Sequence, residues 1–375
     1  MSMNLDSTKI NESDEEVEGD DDSQPSGWGS DYPLDAVFVR SEQRTVSEVV
    51  KRIKAGRYQL DPDFQRDFVW PVSSQSRLIE SCVMRIPLPV FYVAENYDGR
   101  IAVVDGLQRL TTFERFLRGD FALTLKNGID QPPHALNGFK FMDLPLQLQE
   151  RIEDTQLTMY ILDAKAPERA KLDIFERVNS GISLTRQQMR NCLFNGPATR
   201  WLRESSESIQ FMNASGGSLQ TKTMRDREAI NRFCAFHFLN ESTYKGGDMD
   251  DYLAKSLQFM NENPEELERL TTLFNHSMQA NFFLFEEHAF RKSLAKPNNS
   301  ARSVLNIALF DVFSVIFTKY TKTDIISNAH KLRAACQELI EDTTFKHSIT
   351  YSTNSTRQVR TRFALAREAI SEAMS

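Results

Sequence analysis

Apolar residues recur at three- and four-residue steps along most of the chain, which is the spacing of helices with one buried face. TVSEVVKRIKAGR (Thr45–Arg57) places Val46, Val49, Val50 and Ile53 on one side and closes on Gly56. SSQSRLIESCVMRI opens on serines suited to a helix cap, aligns Leu78, Ile79, Cys82 and Val83, and stops at Pro87. Two short runs have strand character instead: PVFYVAE (Pro89–Glu95) and IAVV (Ile101–Val104), joined across YDG, predict a hairpin over Phe91–Val104. A helix follows with Leu107, Leu110, Phe113 and Leu117 in step, ending at Gly119. FALTL (Phe121–Leu125) and LTMYIL (Leu157–Leu162) are further strand candidates, with a short helix near Leu146–Ile152 between them. PERAKLDIFERVNSG (Pro167–Gly181) and SLTRQQMRNCLFNG (Ser183–Gly196) read as helices, the second with Thr185 and Gln188 as a capping box. Beyond Gly196 six stretches from WLRESSESIQFM to ISNAHKLRAACQELI are helical in period, and no internal repeat is visible.

The pattern predicts an α+β domain over residues 36–196 and a mostly helical domain over 197–375, behind an acidic tail over 1–35. The tail holds eleven acids and one base, Lys9, for a charge of −10. The whole chain carries −7, so residues 36–375 carry +3. With few apolar residues the tail is expected to stay disordered, as a solubilising segment or as an arm that competes with nucleic acid for the basic face of the body. No apolar run approaches the roughly 20 residues that span a bilayer, so no membrane is expected as a partner. The N-terminus lacks a signal-peptide pattern. Cys82, Cys192, Cys234 and Cys336 are widely spaced and read as buried, reduced thiols of a cytoplasmic protein.

VVDGLQRLTT (Val103–Thr112) is the stretch with most chemistry. Gly106 permits a backbone conformation that a β-carbon resists and lets a ligand approach. The next residues open a helix, whose first amides have no intrahelical partner and, with the helix dipole, suit a phosphate. Arg109 offers a planar fork for phosphate oxygens, Gln108 an orienting amide, Thr111 and Thr112 hydroxyls, and Asp105 a carboxylate for Mg²⁺ or for base catalysis. The bland alternative is an ordinary helix start with a solvated arginine. Two further stretches are candidates for the same pocket. In PDFQRDFVW, Phe64, Phe68 and Trp70 are spaced to pin a loop carrying Gln65 and Arg66. In FERVNSGISLTRQQMRN, Asn179 sits in a turn between two helices, and Arg190 close by is a candidate DNA or phosphate contact.

Taken together, "DFQRDFVW", "SRLIES…IPLPVFYV", "VVDGLQRLTTFERFLRG" and "FERVNSGISLTRQQMRNCL" resemble, in order and spacing over roughly Val46–Phe194, the GmrSD-type N-terminal domain family, also known as domain of unknown function 262. "FRKSL…NIALFDVF" and "FKHSITYSTNSTRQVRTRF" are similar to the C-terminal region of its standalone members. The resemblance implies a ParB/sulfiredoxin-like fold, a nucleotide site at a D-G-Q-Q-R motif, NTP hydrolysis with Mg²⁺, and a place in bacterial anti-phage or restriction systems acting on DNA. The motif falls on Asp105, Gly106, Leu107, Gln108 and Arg109, with Leu107 where the family usually has glutamine. If that glutamine positions water, hydrolysis is weakened and a non-catalytic nucleotide- or DNA-binding switch is the alternative. The six histidines form no paired His/Asn cluster of the kind an HNH nuclease uses, so cleavage is expected to need a partner protein or direct action by this domain, with a separate nuclease or a methyltransferase as the expected partner. STNSTRQVRTRFALAR (Ser352–Arg367) places Arg357 and Arg360 near one helical face, as a phosphate contact or as a solvated helix end.

Overall fold

A computed structural model describes residue 18 and residues 39–60, 70–96, 98–125, 134–166, 168–178, 185–296 and 300–375. The chain divides into a mixed unit, residues 26–199, and a second unit made of residues 1–25 and 200–375.

The mixed unit runs β1 (Val39–Thr45), α1 (Val46–Lys54), β2 (Tyr58–Gln59), α2 (Val72–Val83), β3 (Phe91–Glu95), β4 (Ile101–Asp105), α3 (Leu107–Arg118), α4 (Leu146–Glu153), β5 (Gln156–Leu162), α5 (Glu168–Val178) and α6 (Arg186–Leu193). Its sheet has the order β1-β5-β3-β4-β2. The central hairpin β3–β4 is antiparallel, as the sequence pattern requires, and is closed by Asn96 donating to the Arg100 carbonyl at 2.8 Å. β1 runs antiparallel to β5, β5 parallel to β3, and β2 parallel to β4. The Arg44 guanidinium of β1 donates to the Tyr58 hydroxyl of β2 at 2.6 Å, so side chains of the two edge strands meet. The apolar faces of α1, α2 and α3 and the strand residues Phe91, Val93, Met159 and Ile161 form one core.

Two local expectations change. Phe121–Leu125 is not a strand: Leu123 exchanges backbone hydrogen bonds with Gly138 and Phe139 at 2.7 and 2.9 Å, and Phe121 packs on Phe116 with ring centroids 5.2 Å apart. Its alternating apolar residues join the hydrophobic core although the segment pairs with no strand of the sheet. Conversely VRSEQRT, polar after Val39, forms β1, because an edge strand needs few apolar side chains.

The helices α7 (Pro197–Ser206), α8 (Ile209–Ser215), α9 (Arg225–Phe238), α10 (Met249–Glu262), α11 (Glu266–Phe285), α12 (Ile307–Ile316), α13 (Lys322–Ser327), α14 (Ala329–Glu341), α15 (Thr343–Ser348) and α16 (Thr356–Met374) complete the chain. The unit division falls inside α7. Every residue of α12 is buried, which makes it the centre of the helical unit. WLRESSESIQFM splits into α7 and α8, because the Ser208 side chain caps a new helix by accepting from the Phe211 amide. Among the described residues no helix is long and apolar enough to cross a membrane.

Beneath α12 lies a fully buried ionic cluster. Asp311 accepts from Arg232 at 2.8 and 2.7 Å and from Arg362 at 2.8 Å. Arg232 also reaches the Asn354 side chain at 3.1 Å, and Arg362 donates to the Thr353 carbonyl. Two guanidinium groups thus share one carboxylate, and burial pulls Arg362 below its ordinary pKa while Asp311 pushes it back up.

Candidate functional site

β4 runs straight into α3 through Gly106, which takes a left-handed φ of 103°. That conformation favours glycine. A second reason is steric: a β-carbon there would stand 2.3 Å from Cδ1 of Phe91 and 3.2 Å from Nη2 of Arg109. The space freed by the missing side chain is therefore taken by the protein's own Phe91 ring.

Arg109 is the centre of the arrangement. It is 9% exposed, and its guanidinium lies over the Phe91 ring, 4.1 Å from the centroid. One end of the fork donates to the Pro89 carbonyl, the other to the Val90 carbonyl at 3.0 Å and to Asp105 at 2.8 Å. Burial lowers the pKa of Arg109, opposed by the adjacent Asp105. The expected phosphate fork thus bonds inward, where it ties the start of β3 to the start of α3. Asp105, four residues before Arg109, keeps its side chain 42% exposed while one oxygen is held. It lies opposite Tyr92, where the pairing of β3 with β4 shifts register by one extra β4 residue, a feature common beside functional sites.

Gln108 accepts from the Trp70 amide at 3.3 Å, and Gln75 donates to the Trp70 carbonyl at 2.8 Å. Trp70, which follows Gln65 and Arg66 in sequence, is therefore fixed at the amino end of α3. Gln65, Arg66 and Asn179 themselves lie outside the described residues. Leu107 is 8% exposed and belongs to the hydrophobic core. Thr111 is half-buried on the next turn. Thr112 is fully buried, and its hydroxyl donates to the Gln108 carbonyl at 2.7 Å, which corrects the expectation that it offers a hydroxyl to a ligand. The amides of Leu107, Gln108 and Arg109 precede the first intrahelical bond, Leu110 to Gly106 at 2.9 Å, and give α3 its positive end.

Arg190 is also corrected. It is 1% exposed, with Nε donating to Gln187 at 3.0 Å, and such a side chain does not reach a nucleic-acid backbone. In the helical unit Arg357 is exposed, while Arg360 donates to the Ser242 and Tyr244 carbonyls at 3.0 and 3.4 Å. Sequence reasoning missed Phe91 and the carbonyls of Pro89 and Val90. The only signal for them was the position of IPLPVF just ahead of a strand.

A metal fits this site in one way. Among the described residues no group of three or more His, Cys, Asp or Glu could hold an ion. A single half-exposed carboxylate suits Mg²⁺ that is shared with phosphate oxygens and waters, not a resident metal caged by protein.

Residues 46–195, about two fifths of the chain, match the profile of a family described as the GmrSD restriction endonuclease, N-terminal domain. No curated protein matches the chain.

Proposed function

We propose, from the match of residues 46–195 to the GmrSD-type N-terminal domain family, a component of a restriction-type, anti-phage system that binds a nucleoside triphosphate at the turn from β4 into α3 and acts with DNA. The observation that carries this reading is the half-exposed Asp105 carboxylate, fixed by Arg109 beside the amino end of α3. The helix amides and dipole receive the phosphates. Asp105 would hold Mg²⁺, which would neutralise phosphate charge. Gln108 and Thr111 line the approach, and Gln65, Arg66 and Asn179 remain candidates for the opposite wall. Arg109 positions the turn and does not touch the ligand. Leu107 faces the core, so glutamine's absence there leaves Gln108 as the polar side chain of the turn.

One observation favours a second reading, a nucleotide-dependent switch without turnover that serves a separate nuclease or methyltransferase. The guanidinium that would neutralise developing phosphate charge is bonded inward. A thermal-shift panel of the four NTPs with Mg²⁺, followed by phosphate release, separates the two. A ligand that binds only the folded state at 100 times its Kd stabilises it by about 2.7 kcal/mol. Stabilisation with release supports the hydrolase, stabilisation without release supports the switch, and no stabilisation by any NTP overturns both.

A further inference from the structure

Glu18, in the middle of the acidic sequence DEEVEGDDD, is seated on the helical unit. Its amide donates to the Leu305 carbonyl at 3.0 Å, and its carbonyl accepts from the Ile307 amide at 3.0 Å. This is a parallel bridge across Asn306. Its carboxylate pairs with Lys292.

The seat is rigid. Leu305 is bridged to Arg291 on its other side, and Asn306 donates its amide to the Phe290 carbonyl at 2.9 Å. The Asn306 side chain is fully buried, donating to the Ile349 carbonyl and capping Leu309, both at 2.9 Å. Lys292 is held by the Thr350 hydroxyl at 2.8 Å. Leu305 and Ile307 are themselves buried, so the carbonyl and amide that face Glu18 need a partner from an extended chain. Main-chain bonds of this kind recognise any extended segment, and a side-chain partner chooses among them. Here the chooser is a cation.

We infer that the edge Leu305–Ile307 with Lys292 is a receptor for an extended acidic segment, and that the chain's own Glu18 segment occupies it in cis. This inference does not depend on the nucleotide reading. Glu18 is flanked within four positions by Asp14, Glu15, Glu16, Asp20, Asp21 and Asp22. Docking it therefore anchors a dense negative charge on the helical unit, through a bond that salt weakens.

The test uses the full chain. Carbodiimide, which joins a paired carboxylate and amine directly, is expected to couple Glu18 to Lys292 within one molecule. Hydrogen exchange at the Ile307 amide is expected to quicken about tenfold in Glu18→Lys and in Lys292→Glu and to slow again in the double charge swap, the signature of a local opening and its repair. Unchanged exchange in both single variants, no rescue in the swap, or a cross-link that joins two chains overturns the inference.

Discussion

Phe91 stands where the side chain of residue 106 would be. Its Cδ1 lies 2.3 Å from the point a β-carbon on Gly106 would occupy, and its ring also carries the Arg109 guanidinium, 4.1 Å from the centroid. One aromatic ring from β3 thereby fixes both the glycine that ends β4 and the arginine of α3. The turn is set by internal packing before any ligand arrives. That is the preorganisation a binding turn needs, because little ordering remains to oppose binding.

Gly106→Ala is expected to be strongly destabilising. Left-handed φ costs a residue with a β-carbon roughly 1–2 kcal/mol, and forcing a methyl into a packed core adds about 1–3 kcal/mol. Urea unfolding should show the loss. Adding Phe91→Leu should recover part of it, because the two changes share one space and do not add. Simple additivity would show that the ring is not what excludes the methyl.

Arg109→Lys and Asp105→Asn should separate shape from binding. Lysine cannot span Pro89, Val90 and Asp105 with one planar fork, so the Pro89 and Val90 carbonyls lose donors, at about 0.5–1.5 kcal/mol for each bond where water can replace the donor. Asp105→Asn removes a half-exposed charge and should change basal stability by less than about 1 kcal/mol. It should nevertheless abolish Mg²⁺-dependent stabilisation by NTP. Chemical denaturation with and without Mg·NTP reads both, and a retained nucleotide effect in Asp105→Asn removes that carboxylate from the site.

The sequence showed the local parts of this arrangement and hid the tertiary ones. The helix of Leu107–Arg118, the hairpin of β3 and β4, and the Thr185–Gln188 capping box follow from spacing that neighbouring residues set. The pair of Asp105 and Arg109, one helical turn apart, is legible in the same way. The inward bonds of Arg109 come from residues 19 and 20 positions away, which no periodicity encodes, so its fork read as free for phosphate. Arg232 and Asp311, 79 positions apart, were hidden for the same reason. β1 escaped notice because its residues alternate in exposure without alternating in polarity, and β2 because two residues make no pattern.

The buried cluster of Arg232, Asp311 and Arg362 makes Asp311→Asn the most damaging single change expected in the helical unit. It removes the carboxylate that two buried guanidinium groups share, and breaking a buried pair in this way costs about 3–5 kcal/mol. The more exposed pair of Glu241 and Arg367, the latter on α16 like Arg362, serves as the control. Glu241→Gln should cost less than about 1 kcal/mol. Equal losses in the two variants, by urea unfolding, would contradict the assignment of the cluster as the ionic keystone of this unit.

His237 supplies a pH dependence of definite sign. Burial lowers its pKa first, and Arg269 and Lys319 lower it further, while Glu266 opposes them. The ring stacks on Phe233 with centroids 5.7 Å apart. The folded chain therefore holds the imidazole neutral at a pH where the unfolded chain protonates it. The unfolded state binds more protons between the lowered pKa and the ordinary value of about 6.5, so stability rises with pH across that window. The contribution is complete above pH about 6.5 and is lost as pH falls toward the folded pKa. Urea midpoints measured from pH 7 down to pH 5 should fall more steeply in the native chain than in His237→Phe, which keeps the stacked ring and removes the titration. Parallel slopes in the two proteins would assign the acid sensitivity to other groups.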